Sequence, residues 1–388
     1  MLDDKDGGRE ALIAKDLECH GQIGLVATGG SPESIGRGRD DDSGRRVCGM
    51  RVDELVWLVI FCLTGIGLGM SFEFMELHSS KHKPAADKSF FLCLIGYWSQ
   101  TVLGGLYALW AADWNMQRAM RGAWTKPVLI VLVISALFDG AAQALDYVGQ
   151  VQGGYMLFTI FHATVTFWSC LIAYFLLRAR ISPQQWVGVV LIACGVFVTS
   201  FPNPIKVPEG GSFFWGLVCS VVGSACLAAS YPYSELVFKR GERDPTGKGA
   251  ISEEMACCIG SAINSVIYTV YTLAYTAPRW KEDVTDYAKP GQSGYMVGGY
   301  CLYGFMVALH SLSFWMSVNK LGTVPTAVAK GAQQAGIFVF SHIIYCKIDQ
   351  SECMDYNYGD SPWNKAQKGV AFLLCIVGCA LYALSKRQ

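Results

Sequence analysis

Long apolar runs alternate with short polar connections along the chain. Ten runs reach spanning length, at about 52–74, 89–112, 126–148, 153–178, 184–201, 212–236, 253–276, 295–318, 324–346 and 367–385. A bilayer core about 30 Å thick is crossed by about 20 apolar helical residues, so each run predicts a transmembrane α-helix. The expected fold is all-α, a polytopic membrane protein of ten transmembrane helices. The Pro- and Gly-rich stretch at 201–211 divides them five and five. An odd number per half forces the halves into opposite orientations, the inverted-repeat plan of many secondary transporters. The expected organisation is therefore a tail at 1–51, a first five-helix repeat at 52–201 and a second at 212–385. A faint echo links the halves: Ser182-Pro183 precedes a helix with Gly188 and Gly195, and Ser361-Pro362 precedes one with Gly369 and Gly378.

Composition narrows the class without changing it. Apolar residues make up 52% and charged residues only 16%, with a mean hydropathy of +0.31. Net charge is zero and no long basic run appears, so nucleic acid is not an expected partner; the lipid bilayer is. Residues 1–51 are rich in Gly, Asp, Glu and Arg and lack a basic segment followed by an apolar run, which predicts a disordered cytosolic tail without a cleavable signal. Arg45, Arg46, Arg51, Arg118, Arg121, Arg178, Arg180, Lys239 and Arg240 fall on the side of the N-terminus, more than the opposite connections carry, so both termini are expected in the cytosol.

Most of the 15 cysteines lie inside apolar runs, where a thiol packs as a small hydrophobe. No CxxC pair occurs and no metal site is expected. Cys346 and Cys353 flank a polar loop and form the one candidate disulfide.

The chemistry lies in polar side chains inside apolar runs. Asp139, Gln143 and Asp146 are four and three residues apart in the third run, so they stack on one helical face, with Gln150 a turn beyond. A charged side chain at the bilayer centre costs roughly 2.5–3.5 kcal/mol on insertion scales, which argues for an interior cavity. Asp139 lies near mid-span and is the principal candidate; Asp146 sits nearer the end, where solvation is expected, and ranks second. Thr159, His162 and Thr166 share a face of the fourth run, and His162 beside a carboxylate could hold or relay a proton. His310 is a secondary candidate. Lys330, Gln333 and Gln334 lie in the ninth run, where Lys330 either snorkels to the interface or faces a carboxylate or anion. No phosphate loop, HExxH or nucleophile elbow is present, so neither an enzyme nor a resident cofactor is expected.

Asp139, Gly149, Arg178-Ala179-Arg180, Gln185 and Gly188, set in this architecture, resemble the drug/metabolite transporter superfamily. Together with Glu235-Leu236-Val237-Phe238-Lys239-Arg240 and Phe90-Phe91-Leu92, they look most like chloroquine-resistance-transporter-like proteins. The resemblance implies a carrier in a vacuole, plastid or similar organelle. Its expected substrates are amino acids, small peptides or weakly basic compounds, moved through a central cavity lined by Asp139, often with protons. Two departures stand out: Pro278–Gly294 lacks the family's loop cysteines, and Lys330 adds a positive charge. Lys330 is similar in placement to a lysine of nucleotide-sugar and triose-phosphate transporters, which implies, as the alternative, an antiporter of phosphorylated solutes in the Golgi or a plastid. A non-transporting scaffold or receptor is the third alternative. Two nearby carboxylates make one lysine a poor diphosphate site, which favours a cationic or zwitterionic substrate.

Overall fold

A computed structural model describes residues 46–47, 50–79, 89–153, 158, 161–162, 164–199, 212–243, 250–348, 370, 373–374 and 376–382. The first helix, α1, spans Val52–His78, and is followed by α2 at Phe91–Ala111, α3 at Lys126–Gly153, α4 at Val165–Leu176 and α5 at Pro183–Thr199. The second half holds α6 at Phe213–Glu242, α7 at Glu253–Tyr271, α8 at Ser293–Leu321 and α9 at Thr323–Ile348. Residues 376–382 are helical again. Ahead of α1, Arg46–Val47 pairs antiparallel with Met50–Arg51. Apart from that short pair the architecture is all-helical, and among the described residues six helices are long and apolar enough to cross a membrane: Val52–Met75, Phe91–Ala111, Lys126–Gln152, Phe213–Glu242, Glu253–Arg279 and Ser293–Leu321. The last of the α7 run is drawn out by a π-helical turn at Thr272–Thr276. The expected tail, the connection at 201–211 and Cys353 lie outside the described residues, and so therefore does the Cys346–Cys353 bridge.

Helix starts follow local chemistry. The Ser212 and Ser252 hydroxyls accept from the N–H groups of Trp215 and Met255, three residues on, capping α6 and α7. Pro232 lies inside α6 and has no N–H for the Ala228 carbonyl one turn back; Ser169 Oγ of α4 donates to that carbonyl instead, at 3.4 Å. The exposed face is the apolar one: Leu63, Val102, Leu106, Ile130, Phe175, Val266 and Phe305 are all well exposed, an arrangement compatible with a multi-pass membrane protein.

Two ends of the bundle can be told apart. At the near face, where α1 begins, the ends of α2, α6 and α8 meet the starts of α3 and α7 in an apolar cluster built on Leu132, Phe238, Met255, Trp315 and Met316. At the far face Lys289 Nζ donates to the Leu77 carbonyl, and Thr276 Oγ1 to that of Ser89. The main packed pairs are α3 with α6, α1 with α8, α2 with α7, α2 with α8, α1 with α9, α4 with α6 and α4 with α9. Glycines set the close approaches: a Cβ at Gly149 would lie 2.9 Å from Ser220 N, and one at Gly188 would lie 2.6 Å from the Gly378 carbonyl.

Candidate functional site

α3 is 28 residues long, which at 1.5 Å per residue is about 42 Å, and Asp139 lies halfway along it. Gln143, Asp146 and Gln150 continue its stripe toward the far face. All four line a cavity of about 210 Å³ at the centre of the bundle. His162, His310, Lys330, Gln333 and Gln334 line it too, so every candidate residue except the Cys346–Cys353 pair meets in one place. Thr159 lies outside the described residues.

The Asp139 wall is built by α2 and α7. Tyr97 Oη donates to Asp139 Oδ2 at 2.8 Å, and the Tyr97 ring stacks on Tyr268 with centroids 5.4 Å apart. Tyr268 Oη in turn donates to the Gly140 carbonyl at 2.8 Å, and Asn264 Nδ2 to that of Ala136 at 2.9 Å. Two α7 side chains thus clamp the α3 backbone on either side of Asp139. Tyr97 fills one of the carboxylate's roughly four lone-pair positions and leaves acceptor capacity for a cavity occupant.

Asp146 departs from expectation. It is buried, 6% exposed, and its Oδ2 lies 3.3 Å from His162 Nδ1. The physical reason is that α3 runs on to Gly153 and α6 packs along it, with Gly223 leaving the space that Asp146 Oδ1 occupies. His162 is therefore turned to Asp146 rather than to Asp139. The contact is at ion-pair distance but is not an aligned hydrogen bond, and Asp146 Oδ1 has no partner among the described residues.

The opposite wall carries positive charge. Lys330 is 8% exposed and does not reach the interface; its Nζ lies 3.5 Å from His310 Nε2. His310 stacks on Phe61 at 4.5 Å, with Nδ1 3.1 Å from the Phe61 carbonyl. A carbonyl only accepts, so Nδ1 carries the proton and the Nε2 lone pair faces the Lys330 ammonium. Gln333 is almost wholly buried against Gly65, where a Cβ would overlap its amide, and its Oε1 is unpartnered among the described residues.

Toward the near face lie the apolar cluster and a polar latch on the α8–α9 turn. Lys320 Nζ meets Asp53 Oδ2 at 2.9 Å, Asn319 Nδ2 donates to Glu253 Oε1 at 2.7 Å, and Thr323 N donates to Glu235 Oε2 at 2.6 Å. Gly322 sits between them at φ 89°, a conformation that needs glycine. Three helices thus hold one turn. Tyr97, Tyr268 and Asn264 were not singled out in the sequence, although the rule that selected Asp139, a polar group at mid-span, also applies to Asn264.

Comparison with known proteins adds the fold and little else. No protein-family model matches the chain, and no curated protein matches it. Among solved structures it is similar to one described only as the crystal structure of a protein, with a TM-score of 0.59 and 12% identity over 87% of this chain and 99% of the other. At that identity the likeness shows the shared fold alone.

Proposed function

We propose that the protein is a secondary transporter that works by alternating access, carrying small cationic or zwitterionic solutes such as amino acids, small peptides or weak bases. The observation that carries this reading is one central cavity with a carboxylate, Asp139, on one wall and an ammonium, Lys330, on another. Asp139 holds the solute's cationic group; Lys330, with Gln333, Gln334 and Gln143, meets its other end. His162, turned to Asp146, stands apart from that set.

The packed pairs support ten spans in two inverted repeats. Adding five to each helix number, counted round ten, turns α3–α6 into α8–α1, α4–α6 into α9–α1, and α2–α8 into α7–α3, all of which pack. The pairs α2–α7, α4–α9 and α5 with residues 376–382 map onto themselves, and the last cross at Gly188 and Gly378. A pseudo-two-fold axis in the membrane plane requires this exchange. With the near face in the cytosol, the latch and apolar cluster close the cytosolic side, and rocking of the halves would open it. The resemblance to chloroquine-resistance-transporter-like proteins points the same way and suggests an organelle membrane such as the vacuole.

The test is reconstitution in liposomes with a transmembrane proton gradient and a panel of labelled amino acids and weak bases. Saturable uptake, abolished by Asp139→Asn in correctly inserted protein, is expected. Strict exchange of a nucleotide sugar for a nucleoside monophosphate would replace this reading with the phosphorylated-solute alternative, and absence of any flux would favour the scaffold. Lys330→Ala should impair solutes that carry a carboxylate more than simple amines.

A further inference from the structure

The Asp146–His162 pair is not explained by solute binding at Asp139. It lies two helical turns farther along α3, and both side chains are more than nine-tenths buried. Both end in atoms without an aligned hydrogen bond among the described residues: Asp146 Oδ1 and His162 Nδ1. Across the interface, the α6 strip that meets α3 supplies Ser220 and Ser224, two fully buried hydroxyls that also lack partners among the described residues. Gly223, between them, is what lets the carboxylate approach. Among the described residues, a buried carboxylate with an unpartnered oxygen, an imidazole at 3.3 Å and two unpartnered hydroxyls on the facing strip are incomplete as a structural ion pair, which would be fully hydrogen-bonded.

We propose that Asp146 and His162 together form the protein's proton-carrying site, separate from the solute position at Asp139. The proposal rests on the transport reading above. The imidazole occupies the place an oxygen-liganded hard cation would need, so a proton is the cation this geometry suits. Loaded, the pair shares one added proton and is net neutral; unloaded, it carries one negative charge. One proton enters from one side of the membrane and the same proton leaves on the other.

The surrounding charges make the pair responsive to the solute site. Asp146 is within electrostatic reach of Asp139 on its own helix, Lys330 on α9, Cys93 on α2 and Cys226 on α6, and His162 is within reach of His310 on α8. On α7 the Tyr268 hydroxyl is committed to Gly140. Lys330 therefore feels both carboxylates, and a solute that draws it to one end changes the field at the other.

Two measurements on the full chain test this. Infrared difference spectra of the protein in nanodiscs, taken between alkaline and mildly acidic pH, should contain a carboxyl signal that disappears in Asp146→Asn and shifts in His162→Gln. In proteoliposomes carrying a labelled amino acid, both variants should lose accumulation driven by a proton gradient, and their exchange of labelled for unlabelled solute should no longer respond to pH. An infrared signal indifferent to both substitutions overturns the proposal, whatever the solute. So does gradient-driven accumulation that survives in both. Wild-type protein that moves no solute at all would sink the transport reading instead, and the infrared signal would still decide the proton site.

Discussion

Gly149→Ala probes the interface on which the site depends. α3 and α6 pack more extensively than any other pair, and at Gly149 they approach so closely that an added Cβ would lie 2.5 Å from Ser220 Oγ, 2.9 Å from Ser220 N and 3.2 Å from Ser220 Cα. Two of those three atoms are backbone, so no rotamer change relieves the overlap and the helices themselves must separate. Overpacking of this kind costs about 1–3 kcal/mol. At roughly 2–4 °C per kcal/mol, the apparent Tm of the purified protein should fall measurably in a thermal scan. Gly298→Ala in α8 is the control, since its Cβ would meet nothing within 4 Å. Replacing a helical glycine there removes backbone freedom worth about 0.5–1 kcal/mol, so that variant should be as stable as the parent or more so. Adding Ser220→Ala to Gly149→Ala removes the Oγ overlap but not the backbone one, and should restore only part of the loss. Full restoration, or a Gly149→Ala protein as stable as the parent, would refute the argument that backbone contact sets this crossing.

Other perturbations separate effects that occur together in the native protein. Ser169→Ala should cost about 1–3 kcal/mol by orphaning the buried Ala228 carbonyl, and the cost should shrink in a Pro232→Ala background, where an N–H becomes available; equal costs in a double-mutant cycle would count against the pairing. Glu235→Ala removes the acceptor for Thr323 N at the start of α9 and should lower stability by about 0.5–2 kcal/mol, read from the same thermal scans. Lys320→Ala, which breaks a half-exposed pair with Asp53, should change stability by less than about 1 kcal/mol yet shift transport rate, because the pair holds the α8–α9 turn shut; an unaltered rate would remove the latch from the mechanism. Gly65→Ala should displace the Gln333 amide into the cavity, and solute affinity should fall more than thermal stability does.

What the sequence could and could not reveal follows from how each feature is encoded. Apolar runs mark helices because every backbone group in lipid must be paired within its own segment, so α1, α2, α3, α6 and α8 fall within a few residues of their expected bounds. The identity of the cavity-facing groups was legible for the same reason: Asp139, Gln143 and Lys330 are costly in lipid wherever the neighbouring helices lie. Their partners were not. His162 had two carboxylates on α3 within reach by helical spacing, and the choice between them depends on how α6 seats against α3. That seating is fixed by Gly149 and Gly223, whose sequence context looks like that of any other membrane glycine. Lys330 presents the same case in reverse. Two turns inside a helix start, a lysine can still extend toward the headgroups, and the His310 ring held on Phe61 gives it an interior acceptor. The electrostatic consequence follows from packing alone. Because the α3–α6 approach turns His162 toward Asp146, Asp139 keeps free acceptor positions, and under the proposed mechanism the cavity has separate places for a proton and a substrate. If Gly223→Ala forced Asp146 away from His162, coupling between the two should weaken before folding does, since the nearest atom a Cβ there would meet is the carboxylate oxygen, with the Asp146 backbone N farther off at 3.1 Å.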